Sequence, residues 1–126
     1  MSDVENTMAF IEISSDDPAT IERFYSRIFG WRFDRTPGTN YGFIRMPGEA
    51  KPIGRLLDNA GATPNWGTFG IGVSDAEEIC RRVKAAGGEI LDSDQVFEDD
   101  SYVMRGARFR DPSGNLFAVG TVEPKE

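Results

Sequence analysis

Few side chains in this sequence could do chemistry in an apolar setting, and Glu12 stands out among them. It lies in Met8-Ala9-Phe10-Ile11-Glu12-Ile13, a run that otherwise reads as a strand. A carboxylate there must be paired or hydrogen-bonded, because an unpaired buried charge is costly. It could meet a cationic group, act as an acid-base group with a raised pKa, or pair with an arginine such as Arg55 or Arg108. The structural pairing is the preferred expectation.

The remaining candidates are weaker. Tyr25, Tyr41 and Tyr102 could donate protons, and nothing singles one out. Asp92, Asp94, Glu98, Asp99 and Asp100 crowd what reads as a loop; their spacing is not that of an EF-hand, and a solvated acidic loop is expected. Cys80 is the only cysteine, which excludes an intrachain disulfide and suits a reducing cytosol. It is expected to be a half-buried structural residue.

The chain contains no histidine. That excludes triads that need imidazole, and leaves only carboxylates and one thiol for a transition-metal site. A net charge of -7 argues against nucleic acid and mildly favours neutral or cationic ligands. The polar start Ser2-Asp3-Val4-Glu5-Asn6-Thr7 gives no sign of a signal peptide, and no apolar run is long enough to span a membrane. A cytoplasmic protein without nucleic-acid or membrane partners is the expectation.

These side chains need elements to hold them. The first strand, Met8 to Ile13, leads to a helix with Asp17 as N-cap and Pro18 at its first position. Ile21, Phe24, Tyr25 and Ile28 give that helix one apolar stripe, and Gly30 ends it. Strands follow at Trp31–Asp34, Tyr41–Met46 and Ile53–Leu57. The order then repeats. Trp66–Val73 is a strand, Asp75 and Glu78 resemble a capping box, and Ile79, Val83 and Ala86 form the second stripe before Gly87-Gly88. Three strands close the chain, near Glu89–Leu91, Tyr102–Arg110 and Leu116–Val122.

A single offset of 58 residues links the halves: Phe10 maps to Thr68, Ile13 to Ile71, Asp17 to Asp75, Ile21 to Ile79 and Gly30 to Gly88. Later, Arg45-Met46-Pro47 echoes Arg110-Asp111-Pro112 after an insertion of seven residues. A strand-helix-three-strand unit present twice predicts a duplicated α+β fold. One domain over 1–126 is expected, with a first module at about 8–58 and a second at about 66–122.

Three stretches, "FIEISSDDPATIERFYSRIFGWRF", "FGIGVSDAEEICRRVKAAGGEIL" and "ARFRDPSGNLFAVG", resemble the vicinal oxygen chelate superfamily of glyoxalases, bleomycin resistance proteins and dioxygenases. The resemblance covers nearly the whole chain. It implies two tandem βαβββ modules forming a curved sheet around a cleft, and a homodimer. Catalytic members hold a divalent metal there with two His or Gln and two Glu, from the first and last strand of each module. Those places align here with Phe10, Thr68, Ala118 and a position within Ile53–Leu57, which contains Arg55 and no acid. None is a good ligand, so the expected metal is none and no cofactor is expected. The chain resembles the metal-free bleomycin-resistance-like branch.

Alternation places Met8, Phe10 and Glu12 on the cleft face, with Trp66 and Thr68 on the fifth strand and Leu116 and Ala118 on the last. Gly70 and Gly72 would leave space beside them. Arg55 and Arg108 complete the expected cleft, an apolar and aromatic setting suited to a small organic molecule. The first expectation is a metal-independent protein that sequesters an aromatic or cationic compound. The alternative is a lyase or isomerase of the same superfamily, with Glu12 or a tyrosine as acid or base.

Overall fold

The computed structural model describes residues 5–126. Its elements run β1 (Thr7–Ser15), α1 (Pro18–Phe29), β2 (Arg32–Arg35), β3 (Tyr41–Arg45), β4 (Gly54–Asp58), β5 (Trp66–Gly72), α2 (Ala76–Ala85), β6 (Glu89–Glu98), β7 (Tyr102–Arg110) and β8 (Leu116–Pro124). This is the strand-helix-three-strand order twice over, an α+β fold. Among the described residues no helix is long and apolar enough to cross a membrane.

Local chemistry sets the helix ends. The Asp17 carboxylate accepts from the Thr20 amide and hydroxyl, Pro18 fixes the first turn, and Gly30 takes the left-handed conformation at φ 72°. The Asp75 carboxylate likewise accepts from the Glu78 amide at 3.0 Å. The reciprocal half of the expected capping box does not form. The Glu78 carboxylate turns to Arg81 and Arg82 at 2.6 and 3.1 Å, since two guanidiniums on its own helix face outcompete one backbone amide.

The chain forms two compact units, Ile11–Gly67 and a second made of the residues through Phe10 with Thr68–Glu126. In the first, the strand order is β2-β3-β4-β1, with β1 and β4 parallel. Ile44 and Leu56 are buried there. Of the expected α1 stripe, Ile21 and Tyr25 are half-buried, whereas Phe24 and Ile28 are more than half exposed. In the second unit the start of β1 is followed by β5-β8-β7-β6, with β5 and β8 parallel. Val73, Ala107 and Val119 form its core, packed with Ile79 and Cys80 of α2.

β6 corrects the sequence reading. It extends to Glu98 instead of ending near Leu91. Asp92, Asp94 and Glu98 therefore stand in a strand, and only Asp99 and Asp100 lie in the turn before β7. The strand tolerates this charged stretch because irregularities interrupt its pairing between Ile90 and Asp92 and between Asp92 and Gln95, with Asp94 left-handed at φ 57°. Asp99 closes the turn by accepting from the Ser101 and Tyr102 amides, both at 2.8 Å.

Candidate ligand-binding site

Registers within each unit bring the candidate side chains into rows. In Ile11–Gly67, Glu12 stands opposite Arg55, Arg55 opposite Phe43 and Phe43 opposite Asp34. Arg55 Nε donates to Glu12 Oε2 at 2.7 Å, and Trp66 Nε1 donates to Glu12 Oε1 at 3.2 Å. Glu12 is 0% and Arg55 2% exposed. Two charges so buried are tolerable only as a pair with further hydrogen bonds, and the indole N–H supplies one. Of the two arginines expected as partners for Glu12, Arg55 takes the role.

The second unit has the corresponding row. Gly70 stands opposite Ala118, Ala118 opposite Arg108 and Arg108 opposite Asp92. Glu12 and Gly70 are 58 positions apart, and so are Asp34 and Asp92. The matching rows make Arg55 the counterpart of Ala118. Arg108 is buried and pairs with the more exposed Asp92 at 2.7 Å.

Around this second row, Thr68 Oγ1 donates to the Leu116 carbonyl at 2.7 Å. Phe10 is buried, and its ring lies where a side chain at Gly70 would have to go. The space expected beside Gly70 is therefore filled: a missing Cβ on one strand admits a ring from another. Met8 shares the Phe10 face by alternation and is 71% exposed.

The superfamily resemblance implies metal-ligand places at Phe10, Thr68 and Ala118, and Arg55 stands at the counterpart of Ala118 in the other row. Phe10 and Ala118 have no donor atom, the Thr68 hydroxyl is engaged with a carbonyl, and Arg55 is a cation. This donor set does not fit a divalent metal. Among the described residues no three Asp, Glu or Cys side chains converge either.

Other candidates have structural partners. Tyr25 stacks on Trp31 with ring centroids 4.9 Å apart, and Tyr41 lies 6.3 Å from Phe43. Cys80 is half-buried, as expected, and burial pushes its thiol pKa up, which disfavours the thiolate. In the Asp111–Asn115 turn, Asp111 accepts from the Asn115 side chain and amide, both at 2.9 Å, and from the Ser113 amide at 3.0 Å. These bonds hold its carboxyl below the usual value.

Residues 7–119 match the family model of the Glyoxalase/Bleomycin resistance protein/Dioxygenase superfamily. The chain belongs to this superfamily. It is 28% identical over 94 residues to CFP32 of Mycobacterium bovis, covering 69% of this chain and 36% of that protein. It is 27% identical over 128 residues to the anthracycline biosynthesis protein DauV of Streptomyces sp. strain C5, covering 88% of this chain and 45% of DauV. The chain thus spans between about a third and a half of these relatives. Among solved structures, the Mn(II)-bound glyoxalase of Novosphingobium aromaticivorans superposes with a TM-score of 0.66 at 18% identity, covering 97% of this chain and 42% of that one. That likeness establishes the superfamily fold.

Sequence reasoning missed the length of the strand that carries Asp92 and Gln95. Asp92 reads as part of an acidic loop, although it is the partner of a buried arginine. Gln95, on the same strand, draws no attention, because nothing in its neighbours signals a strand that far along. The one available signal is the 58-residue offset, which places Asp92 at the position of strand residue Asp34.

Proposed function

We propose that this superfamily member binds a small aromatic molecule and does so without a metal. The observation that carries the reading is the way Trp66 is held. Its indole N–H is tied to a carboxylate that Arg55 in turn fixes, while the residue remains partly exposed. A ring tethered in this way is a preorganised stacking surface, which loses little freedom on binding. The metal-ligand places support metal independence through their chemistry.

Of the two ligand classes suggested by the sequence, the aromatic one is favoured. The Glu12 carboxylate spends both oxygens on Arg55 and Trp66, so it is not a ready anchor for a ligand cation. The same commitment weakens the lyase or isomerase reading, since a proton-transfer group must reach its substrate. DauV, whose name ties it to anthracycline biosynthesis, is compatible with a polycyclic aromatic ligand.

The test is a thermal-shift screen of aromatic compounds, with hits titrated calorimetrically against wild type and Trp66→Leu. The reading expects stabilising hits, no product after incubation, and affinity at least about ten-fold weaker in the variant, the scale of a lost aromatic contact. Hits unaffected by Trp66→Leu, or converted to product, would overturn it.

A further inference from the structure

On its α2 side the second unit holds a cavity far larger than the corresponding space in Ile11–Gly67. Cys80 and Ser93 stand 58 positions after Glu22 and Arg35. In Ile11–Gly67, Arg35 Nε donates to the Glu22 carboxylate at 2.8 Å, and this pair ties α1 to β2. Only about 40 Å³ of space remains beside it. Cys80 and Ser93 are too short to make such a bridge. Between α2 and β6 a cavity of about 210 Å³ is left open, floored by Cys80, Ile90 and Ala107. Ala107 packs toward α2, so the cavity lies on the opposite face of β7 from Arg108.

Two opposite charges stand on the cavity walls without meeting. Lys84 belongs to the last turn of α2, and Asp94 to the irregular stretch of β6. Neither has an ion-pair partner among the described residues, the other included. The second cation of the wall, Arg81, is already engaged by Glu78 at 2.6 Å. Asp94 and Ala76 also line a neighbouring groove with Val73 and Ser74, which puts Asp94 at the N-terminal end of α2. Lys84 lies about two turns further along the helix than Glu77 of the same wall, roughly 10 Å. The charges thus stand at opposite ends of an apolar floor. The Cys80 thiol between them is within electrostatic range of Lys84, Asp94 and Glu77.

We propose that this cavity binds a small zwitterion of the ω-amino acid class, its ammonium at Asp94, its carboxylate at Lys84 and its methylene chain over Cys80, Ile90 and Ala107. Wall charges so far apart select a ligand whose own charges are separated. An α-amino acid carries both on one carbon and reaches only one end. Methylenes laid on the floor add apolar burial. The site is separate from the aromatic-binding reading above and does not depend on it.

The probe is 6-aminohexanoate, compared with its isomer norleucine and with hexanoate and hexylamine, which keep one charge each. Binding is followed through amide chemical shifts in NMR titrations. Saturable shifts are expected around Cys80, Lys84 and Asp94, with 6-aminohexanoate at least about three-fold tighter than the other three, the scale of one exposed ion pair. Lys84→Gln should bind it no better than hexylamine. Asp94→Asn, which suits the left-handed backbone, should bind it no better than hexanoate. Cys80→Glu with Ser93→Arg transplants the pair of the other unit, and should close the cavity and abolish binding while the spectrum stays that of a folded protein. Norleucine or hexanoate binding as tightly as 6-aminohexanoate, or an advantage that survives in Lys84→Gln or Asp94→Asn, would overturn the proposal. Absence of saturable shifts at this cavity in wild type would overturn it as well.

Discussion

Glu12 and Arg55 face each other across two parallel strands, joined at 2.7 Å and withdrawn from solvent. Their counterparts in the other unit, Gly70 and Ala118, face each other with no charge at all. The superfamily resemblance implies a metal-binding acid at the last-strand place of each module. Ala118 stands at one such place and Arg55 at its counterpart, where it forms half of an internal ion pair. The pair is a structural element and not a free acid-base group, which gives it a clear signature under mutation.

Arg55→Met should destabilise the protein by about 3–5 kcal/mol, because it leaves the Glu12 carboxylate buried without its cation. The double replacement Glu12→Met with Arg55→Met should recover most of that loss, since removing both charges removes the desolvation cost along with the attraction. Urea unfolding of the two singles and the double measures the coupling. A double variant as unstable as the sum of the singles would contradict this account of the pair.

Gly70→Ala should cost about 1–3 kcal/mol through overpacking, because the new methyl meets the Phe10 ring. Adding Phe10→Leu should relieve part of the clash, so the second substitution is less harmful in the Gly70→Ala background than alone. Urea midpoints again decide. A Gly70→Ala variant as stable as wild type would show that the ring does not occupy this space.

Acid sensitivity follows from Asp111. Its folded pKa is depressed below the ordinary value of 3.8, chiefly by the Asn115 side chain and then by backbone amides. A depressed carboxyl contributes stability that is fully present above the unfolded pKa and is lost as pH falls through the folded one. Asp17, held down by Thr20, acts in the same direction. Asp111→Asn should be less stable than wild type at neutral pH, with the gap narrowing below about pH 4 as the wild-type carboxyl takes up its proton. A pH series of urea midpoints checks this; parallel curves would exclude a contribution from the turn.

Much of the fold was legible because duplication wrote it twice. Asp17 and Asp75 each cap a helix, and the Asp111–Asn115 turn places β8 by chemistry that needs no metal. The pairing of Glu12 was legible as a necessity, because an apolar strand cannot hold a lone carboxylate. Which arginine would answer was not, since that depends on the register between β1 and β4. β6 was the least legible element. Its charges and left-handed Asp94 imitate a loop, while its pairing with β7 holds it in the sheet. Gln95 stands opposite Gly106 only because of that irregularity, so no period-two reading could have placed it there.

The central claim is aromatic binding without a metal, and thermal unfolding in the presence of 2-naphthol tests it most directly. The protein is first stripped with a chelator, then measured with ligand alone, with manganese(II) alone and with both. The account predicts that ligand raises the melting temperature by the same amount in chelator and in manganese, as expected of a ligand that binds only the folded state, and that the metal alone changes nothing. Stabilisation by manganese alone, or a ligand effect that appears only when metal is added, would contradict it.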